Sequence, residues 1–339
     1  MKYVYCKVMA LLKDYNNKCN FPYDFKLLVL CCVLLLGGCR QKTGERSEAG
    51  SEKNGDSKES VLYQNSVFTE PFGFPEGIEG PAVDADGTLY AVNFKKPGTI
   101  GRVDAEGNAS LFVTLPEGST GNGIRFNSSG HMLIADYTMH NILKVDMDSK
   151  EVSVYAHNDQ MNQPNDIAIM DNDILFASDP DWDNSRGQIW RIDTDGAFTL
   201  LEGDMGTTNG IEVSPDNKTL YVNESVQRNI WAYDLSPEGD ISNKRLLIKF
   251  DDFGMDGMRT DADGNLYVAR YGKGTVVKVS PQGEVLKEIR LKGKKVSNIA
   301  FGGKDGTRAF LTLQDNGNIE TFSTERPGRA YQMMKKNKE

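Results

Sequence analysis

Six polar residues recur along this chain at a near-constant interval: Glu79, Asn122, Asn165, Asn209, Asp256 and Asn298. By subtraction the steps are 43, 43, 44, 47 and 42 residues. Each opens the same local pattern, clearest over residues 254–270. There Asp256-Gly257-Met258 is followed by a turn at Asp263-Gly264 and a short apolar run, Leu266-Tyr267-Val268-Ala269. A fixed period in the forties is the signature of a repeat architecture. Repeats arranged around an axis would bring the six leading residues together as a ring of oxygen donors. A lone Asn-Gly is ordinarily a turn former, because Asn tolerates left-handed backbone. Here positions one and five are acids, and the ring converges on one axis. Two carboxylates among amides, without sulfur or imidazole, suit a hard divalent cation. Such a cation can polarise a carbonyl or acidify a bound water, which is chemistry for opening an ester or phosphoester. No Gly-x-Ser-x-Gly elbow appears, so a serine nucleophile is not expected.

The elements that must position these residues are short strands. From Val61 onward, apolar runs of four to six residues alternate with Gly, Asp, Asn and Pro, and helix-period stripes are scarce. Repeat one reads as four strands: Pro81–Val83, Thr88–Val92, Thr99–Val103 and Ala109–Val113. Four antiparallel strands joined by tight turns make a propeller blade. Repeats two to five read alike, whereas repeat six offers three strands, and one strand at 61–68 stands ahead of repeat one. That strand is expected to complete blade six and so remove the exposed edge of an open ring. The fold predicted is all-β, a six-bladed β-propeller over 61–325 closed by an N-terminal strand, followed by a polar basic tail at 326–339. A second polar set lies 14 residues after the first: Asn93, Asp136, Asp179, Asn223, Arg270 and Thr312. Returning along the second strand, the chain would place it on the same face, one layer out.

Composition narrows the partners. The net charge is −9, and residues 1–38, with five lysines and two acids, leave −12 on the rest. An acidic balance without a basic stripe argues against nucleic acid. All five cysteines precede residue 40, so the remaining chain has neither disulfide nor thiolate metal site. The three histidines, His131, His140 and His157, are not placed as a three-histidine zinc site.

The N-terminus has its own logic. Residues 27–36 form a ten-residue apolar run after Lys26, too short to span a bilayer and suited to a signal-peptide core. It ends in Leu36-Gly37-Gly38-Cys39, which resembles a bacterial lipobox. That resemblance implies a signal peptide over 1–38, cleavage before Cys39, lipidation of its thiol, and an exported lipoprotein held at a membrane of the cell envelope. Residues 40–60 are rich in Ser, Gly, Glu and Lys, lack the apolar surface to fold, and read with Cys39 as a tether over 39–60.

Ile78-Glu79-Gly80-Pro81, Gln163-Pro164-Asn165-Asp166-Ile167, Thr208-Asn209-Gly210-Ile211-Glu212-Val213-Ser214-Pro215-Asp216 and Met255-Asp256-Gly257-Met258 resemble, in order and at blade spacing, the senescence-marker-protein/gluconolactonase/regucalcin family. The resemblance covers about residues 70–325. It implies a six-bladed propeller with a catalytic divalent metal in the channel, and lactone hydrolysis on a small-molecule substrate. Its metal ligands carry over to Glu79, Asn165, Asn209 and Asp256. Calcium is the first expectation, with zinc, magnesium and manganese as alternatives. Asp256 would ligate the metal and act as base on the attacking water, or as nucleophile toward a phosphotriester. Asn122, Asp136, Asp179, Trp182, Arg270 and Tyr271 are candidates for substrate contact, with Arg270 suited to an acid-bearing lactone. His140 is an alternative imidazole near the metal. Two other functions fit the same fold: a phosphotriesterase or arylesterase, and a non-catalytic binding propeller with a structural metal.

Overall fold

The computed structural model of the protein describes residues 62–336. The signal segment, the Cys39 lipidation position and the tether lie outside the described residues. Six four-stranded antiparallel sheets form the six blades of a propeller. The innermost strands are Glu79–Val83, Gly121–Phe126, Ile167–Ile169, Thr208–Val213, Met258–Thr260 and Val296–Gly302. The N-terminal strand Ser66–Val67 pairs antiparallel with Asn318–Ser323 and becomes the outermost strand of blade six, so the first and last segments close the ring. Among the described residues no helix is long and apolar enough to cross a membrane.

The inner strands read as continuous apolar runs because they are covered on both faces, whereas the outermost strand of each blade is largely exposed. Alternate residues of a strand point to opposite sides, and here each side is a seam with a neighbouring blade. In Met132–Asp136, Met132 and Ile134 join the core shared with blade one, while Leu133 and Ala135 join the core shared with blade three. Six such buried clusters occupy the six seams.

The polar ring sits where the inner strands lose regularity. Register shifts fall at Glu79/Ala82, Gly121/Ile124, Thr208/Ile211 and Val296/Asn298. In blades three and five the ladder starts only after Asn165 and Asp256. Irregularities of this kind re-aim side chains. The glycine after a ring residue has a packing cause. A Cβ on Gly80 would lie 1.8 Å from the Asn122 carbonyl oxygen, and one on Gly257 would lie 2.0 Å from the Asn298 side chain. The motif is therefore less a turn than a point where one blade's backbone touches the next.

The C-terminus departs from expectation. In place of a polar basic tail at 326–339, Arg329–Lys336 form a helix, α1, across the mouth opposite the polar ring. Met333 and Met334 enter two of the seam cores. Arg329 is buried, bonding the Ser214 carbonyl at 3.2 Å and the Asn217 side chain at 2.8 Å. Lys335 and Lys336 occupy the last turn, where the helix dipole favours cations. The segment looked polar because its apolar contribution is only a methionine pair.

Candidate active site

At the open mouth lies a cavity of about 450 Å³. Glu79, Asn122, Asn165, Asn209 and Asp256 are among its lining, so five of the six ring residues are brought together. Asn298 turns below them. Its amide reaches Asp166 at 3.4 Å, while its oxygen accepts from the Ile299 N–H at 2.9 Å. The wall above the ring includes Thr120, Tyr137, Trp182, Ser225, Tyr271 and Gln314. The Tyr271 hydroxyl donates to Gln314 Oε1 at 3.1 Å.

The ring is fixed by hydrogen bonds between blades. Asn122 Nδ2 and the Gly123 N–H both donate to the Asn165 carbonyl at 2.9 Å. The Gly257 N–H donates to the Ser297 carbonyl at 2.7 Å, and Ser297 Oγ to the Ile78 carbonyl at 2.9 Å.

Three expected substrate contacts lie away from the cavity lining. Asp136 is 0% exposed and accepts from Ser119 Oγ at 2.7 Å, Asn141 Nδ2 at 2.9 Å and the Thr120 N–H at 3.1 Å. Asp179, also 0% exposed, accepts from the Asn162 and Gln163 N–H groups at 2.8 and 2.7 Å and from Trp190 Nε1 at 3.0 Å. Arg270 is 1% exposed, stacks over Phe250 at 3.9 Å and pairs with Asp252 at 2.7 Å. None lines the cavity. Each satisfies, inside its own blade, the loop that leads into the inner strand. Asn223 and Thr312 brace the ring residues themselves: Asn223 Nδ2 donates across the seam to the Asp256 carbonyl at 2.7 Å, and Thr312 Oγ1 accepts from the Asn298 N–H at 3.0 Å. The second polar set is thus a buttress, although Asn93, whose Nδ2 donates to the Gly77 carbonyl at 2.7 Å, also lines the cavity. His140 is absent from the cavity lining as well.

Below the ring, the channel holds charges that the sequence reading passed over. Asp166 is fully buried between Arg259 at 2.9 Å and Arg125 at 3.3 Å. Glu212 faces Arg125 at 3.3 Å and Arg259 and Arg329 at 3.9 Å. Arg125, Glu212 and Arg259 each stand three residues after a ring residue, the one signal that could have found them.

Electrostatics separates the two groups of acids. Burial pushes the Glu79 carboxyl up to about 7, with the Asp166 charge adding to the effect, against the Gly80 N–H, which donates at 2.8 Å. Burial and the charge of Glu79 hold Asp256 well above the ordinary carboxylate range, against a bond from Asn209. Asp166 meets the same burial, yet Arg259 and Arg125 bring it below its ordinary value.

The ring residues fit a hard cation. Two carboxylates with no cationic partner of their own face one floor, and Asn209 Oδ1 is a buried oxygen without a hydrogen-bond partner. Such an orphan in a native site calls for a ligand. Among the described residues no three His, Cys, Asp or Glu side chains cluster at metal-binding spacing, so amide oxygens must complete any set.

Comparison with known proteins agrees with this architecture. The family described as SMP-30/Gluconolactonase/LRE-like region matches residues 56–315. A gluconolactonase of Zymomonas mobilis is 30% identical over 58% of this chain and 61% of its own length. The diisopropyl-fluorophosphatase of Loligo vulgaris is 27% identical over 78% of this chain and 94% of its own. The chain spans about half to three-fifths of the length of the first curated relatives it matches. The crystal structure of a calcium-binding regucalcin from Agrobacterium tumefaciens superposes with a TM-score of 0.67 at 22% identity, over 78% of this chain and 97% of that one. At that identity the superposition carries the fold alone.

Proposed function

This chain belongs to the SMP-30/gluconolactonase/LRE-like family, and on that premise we propose that it is a metal-dependent hydrolase that opens a small lactone. The observation that carries the proposal is the pair of buried carboxylates without a cationic partner, Glu79 and Asp256, beside an orphaned amide oxygen on the floor of a cavity. Glu79, Asn165, Asn209 and Asp256 would hold the cation, calcium first. When bound, the cation supplies a Lewis acid for the lactone carbonyl. The chain's own residues do the rest. Asp256 orients a water and takes its proton as the water oxygen bonds to the carbonyl carbon. The ring C–O bond then breaks, and the proton passes to the departing ring oxygen, leaving a hydroxy acid. Asn122 and Tyr271 stand on the lining where they can position the lactone. Asp136, Asp179 and Arg270 keep the loops beneath in place and take no part in substrate contact.

The test is hydrolysis of a lactone panel by the purified chain, after chelation and with Ca²⁺, Mg²⁺, Mn²⁺ or Zn²⁺ restored one at a time. Activity should return with a cation and be lost in Asp256→Asn. Turnover by metal-free protein would overturn the mechanism. The fluorophosphatase relative, which aligns over nearly its whole length, makes phosphotriester hydrolysis the second reading, so a phosphotriester belongs in the panel. Cation binding without turnover of either class would mark a binding propeller.

The Leu36-Gly37-Gly38-Cys39 sequence supports export and anchoring through Cys39. Labelled fatty acid should enter the expressed chain and not its Cys39→Ser variant; equal labelling would refute the anchor.

A further inference from the structure

The large apolar side chains that the described residues expose fall into two sets. One lies on the outermost strands of the blades. The other, comprising Phe72, Met139, Trp182, Val226 and Phe253, lies in loops on the face that bears the cavity mouth. The opposite face has none among the described residues. Four of the second set adjoin the cavity wall. Trp182, of blade three, and Tyr137, of blade two, both line the cavity. Met139 follows Tyr137 by two residues, and Val226 follows Ser225 directly. The Phe253 ring lies 3.3 Å from where a Cβ on Gly272, next to Tyr271, would stand. These four side chains are 37–51% exposed. Exposed apolar groups set around one mouth, and absent from the other among the described residues, suit a binding surface.

Charge points the same way. No lysine or arginine lines the cavity, and its floor carries Glu79 and Asp256. Arg270, the guanidinium nearest in sequence to Tyr271, is committed to Asp252 and Phe250. A carboxylate, phosphate or sulfonate on the substrate would find no cationic side chain on this lining.

Resting on the hydrolase reading above, we propose that the substrate is a neutral lactone with an apolar alkyl or aryl substituent. Its ring sits on the polar floor, and its substituent runs along Tyr137 and Trp182 onto the collar of Met139, Val226 and Phe253. The polar floor selects the ester group, and the collar removes the substituent from water.

The experiment compares kcat/KM of the metal-loaded chain for δ-valerolactone, δ-decalactone, glucono-δ-lactone and 6-phosphogluconolactone. Burying part of the pentyl chain should favour δ-decalactone over δ-valerolactone by about tenfold or more. Trp182→Ala, and separately a Met139→Ser/Val226→Ser/Phe253→Ser variant, should bring that ratio toward unity. The readout is a ratio within one protein, so general damage to folding or metal loading cancels. Equal rates for the two alkyl lactones, a ratio that neither variant moves, or preference for either sugar lactone would overturn the proposal while the hydrolase reading stood. Failure to open any of the four would sink both.

Discussion

The two ends of the channel hold buried carboxylates in opposite conditions. At the open end Glu79 and Asp256 crowd together without a cation, and both are driven toward protonation. At the closed end Asp166 and Glu212 are held by Arg125, Arg259 and Arg329 beneath the C-terminal helix. Burial is common to both, and the difference is the partner. A buried charge is costly unless paired. The lower set has its counterions built in, so it is architecture. The upper set lacks them, which is the condition expected of a site that takes a cation from solution.

That contrast can be broken from either end. The largest effect expected is on rate: Asp256→Asn should lower lactone hydrolysis by about 10²–10⁴-fold, the range for losing a general base, while thermal unfolding stays unchanged or moves upward because a repulsive buried charge is gone. A large loss of stability there would mean that Asp256 is paired after all. The same substitution below should do the reverse. Asp166→Asn leaves two buried guanidiniums short of a counterion, and a cost of about 3–5 kcal/mol is expected in denaturant unfolding. A neutral result would remove the distinction between the two ends.

A subtler effect sharpens the comparison through pH. Glu79 has an ordinary value of 4.5 and a folded value of about 7. The folded state therefore binds more protons than the unfolded chain across that window. For metal-free protein, stability from this group is fully present below pH 4.5 and is lost as pH rises through about 7. Asp256, raised in the same direction, adds to the loss. A dication should restore stability most at the upper end of the window. A metal-free melting temperature that climbs steadily from pH 4.5 to 7 would contradict the account. The smallest effect concerns the buttress. Arg270→Met should cost about 1–3 kcal/mol, the penalty for a broken buried hydrogen bond, and leave KM for lactones unchanged; a raised KM would return Arg270 to the substrate.

Much of this was legible in residues 61–325. The blade period and the polar ring follow from features that repeat six times, and the closing strand, expected over 61–68 and formed at Ser66–Val67, follows from the strand that repeat six lacks. Pseudo-symmetry turns equal sequence positions into equal heights around one axis, so the ring residues meet although nothing local says so. The charge column was not legible, because it does not repeat: three residues after successive ring positions stand Ala82, Arg125, Ala168, Glu212, Arg259 and Phe301. The second polar set shows the limit from the other side. Its 14-residue offset was visible, and so was its face, but not its direction. Asp136, Asp179 and Arg270 point into their own loops instead of the cavity, and only the hydrogen-bond inventory of each loop decides that.

The sequence by itself determined which residues stand at equivalent points of a ring, and hence that acids and amides would gather on one axis. Tertiary structure decided which of those gathered charges have partners. Pairing depends on distances between side chains 41 to 93 positions apart, such as Arg125 and Arg259 on Asp166, and a repeat period carries no information about such distances. It also decided that the last residues would close one mouth. A helix whose apolar contribution is two methionines becomes a plug only where a channel of matching width lies beneath it.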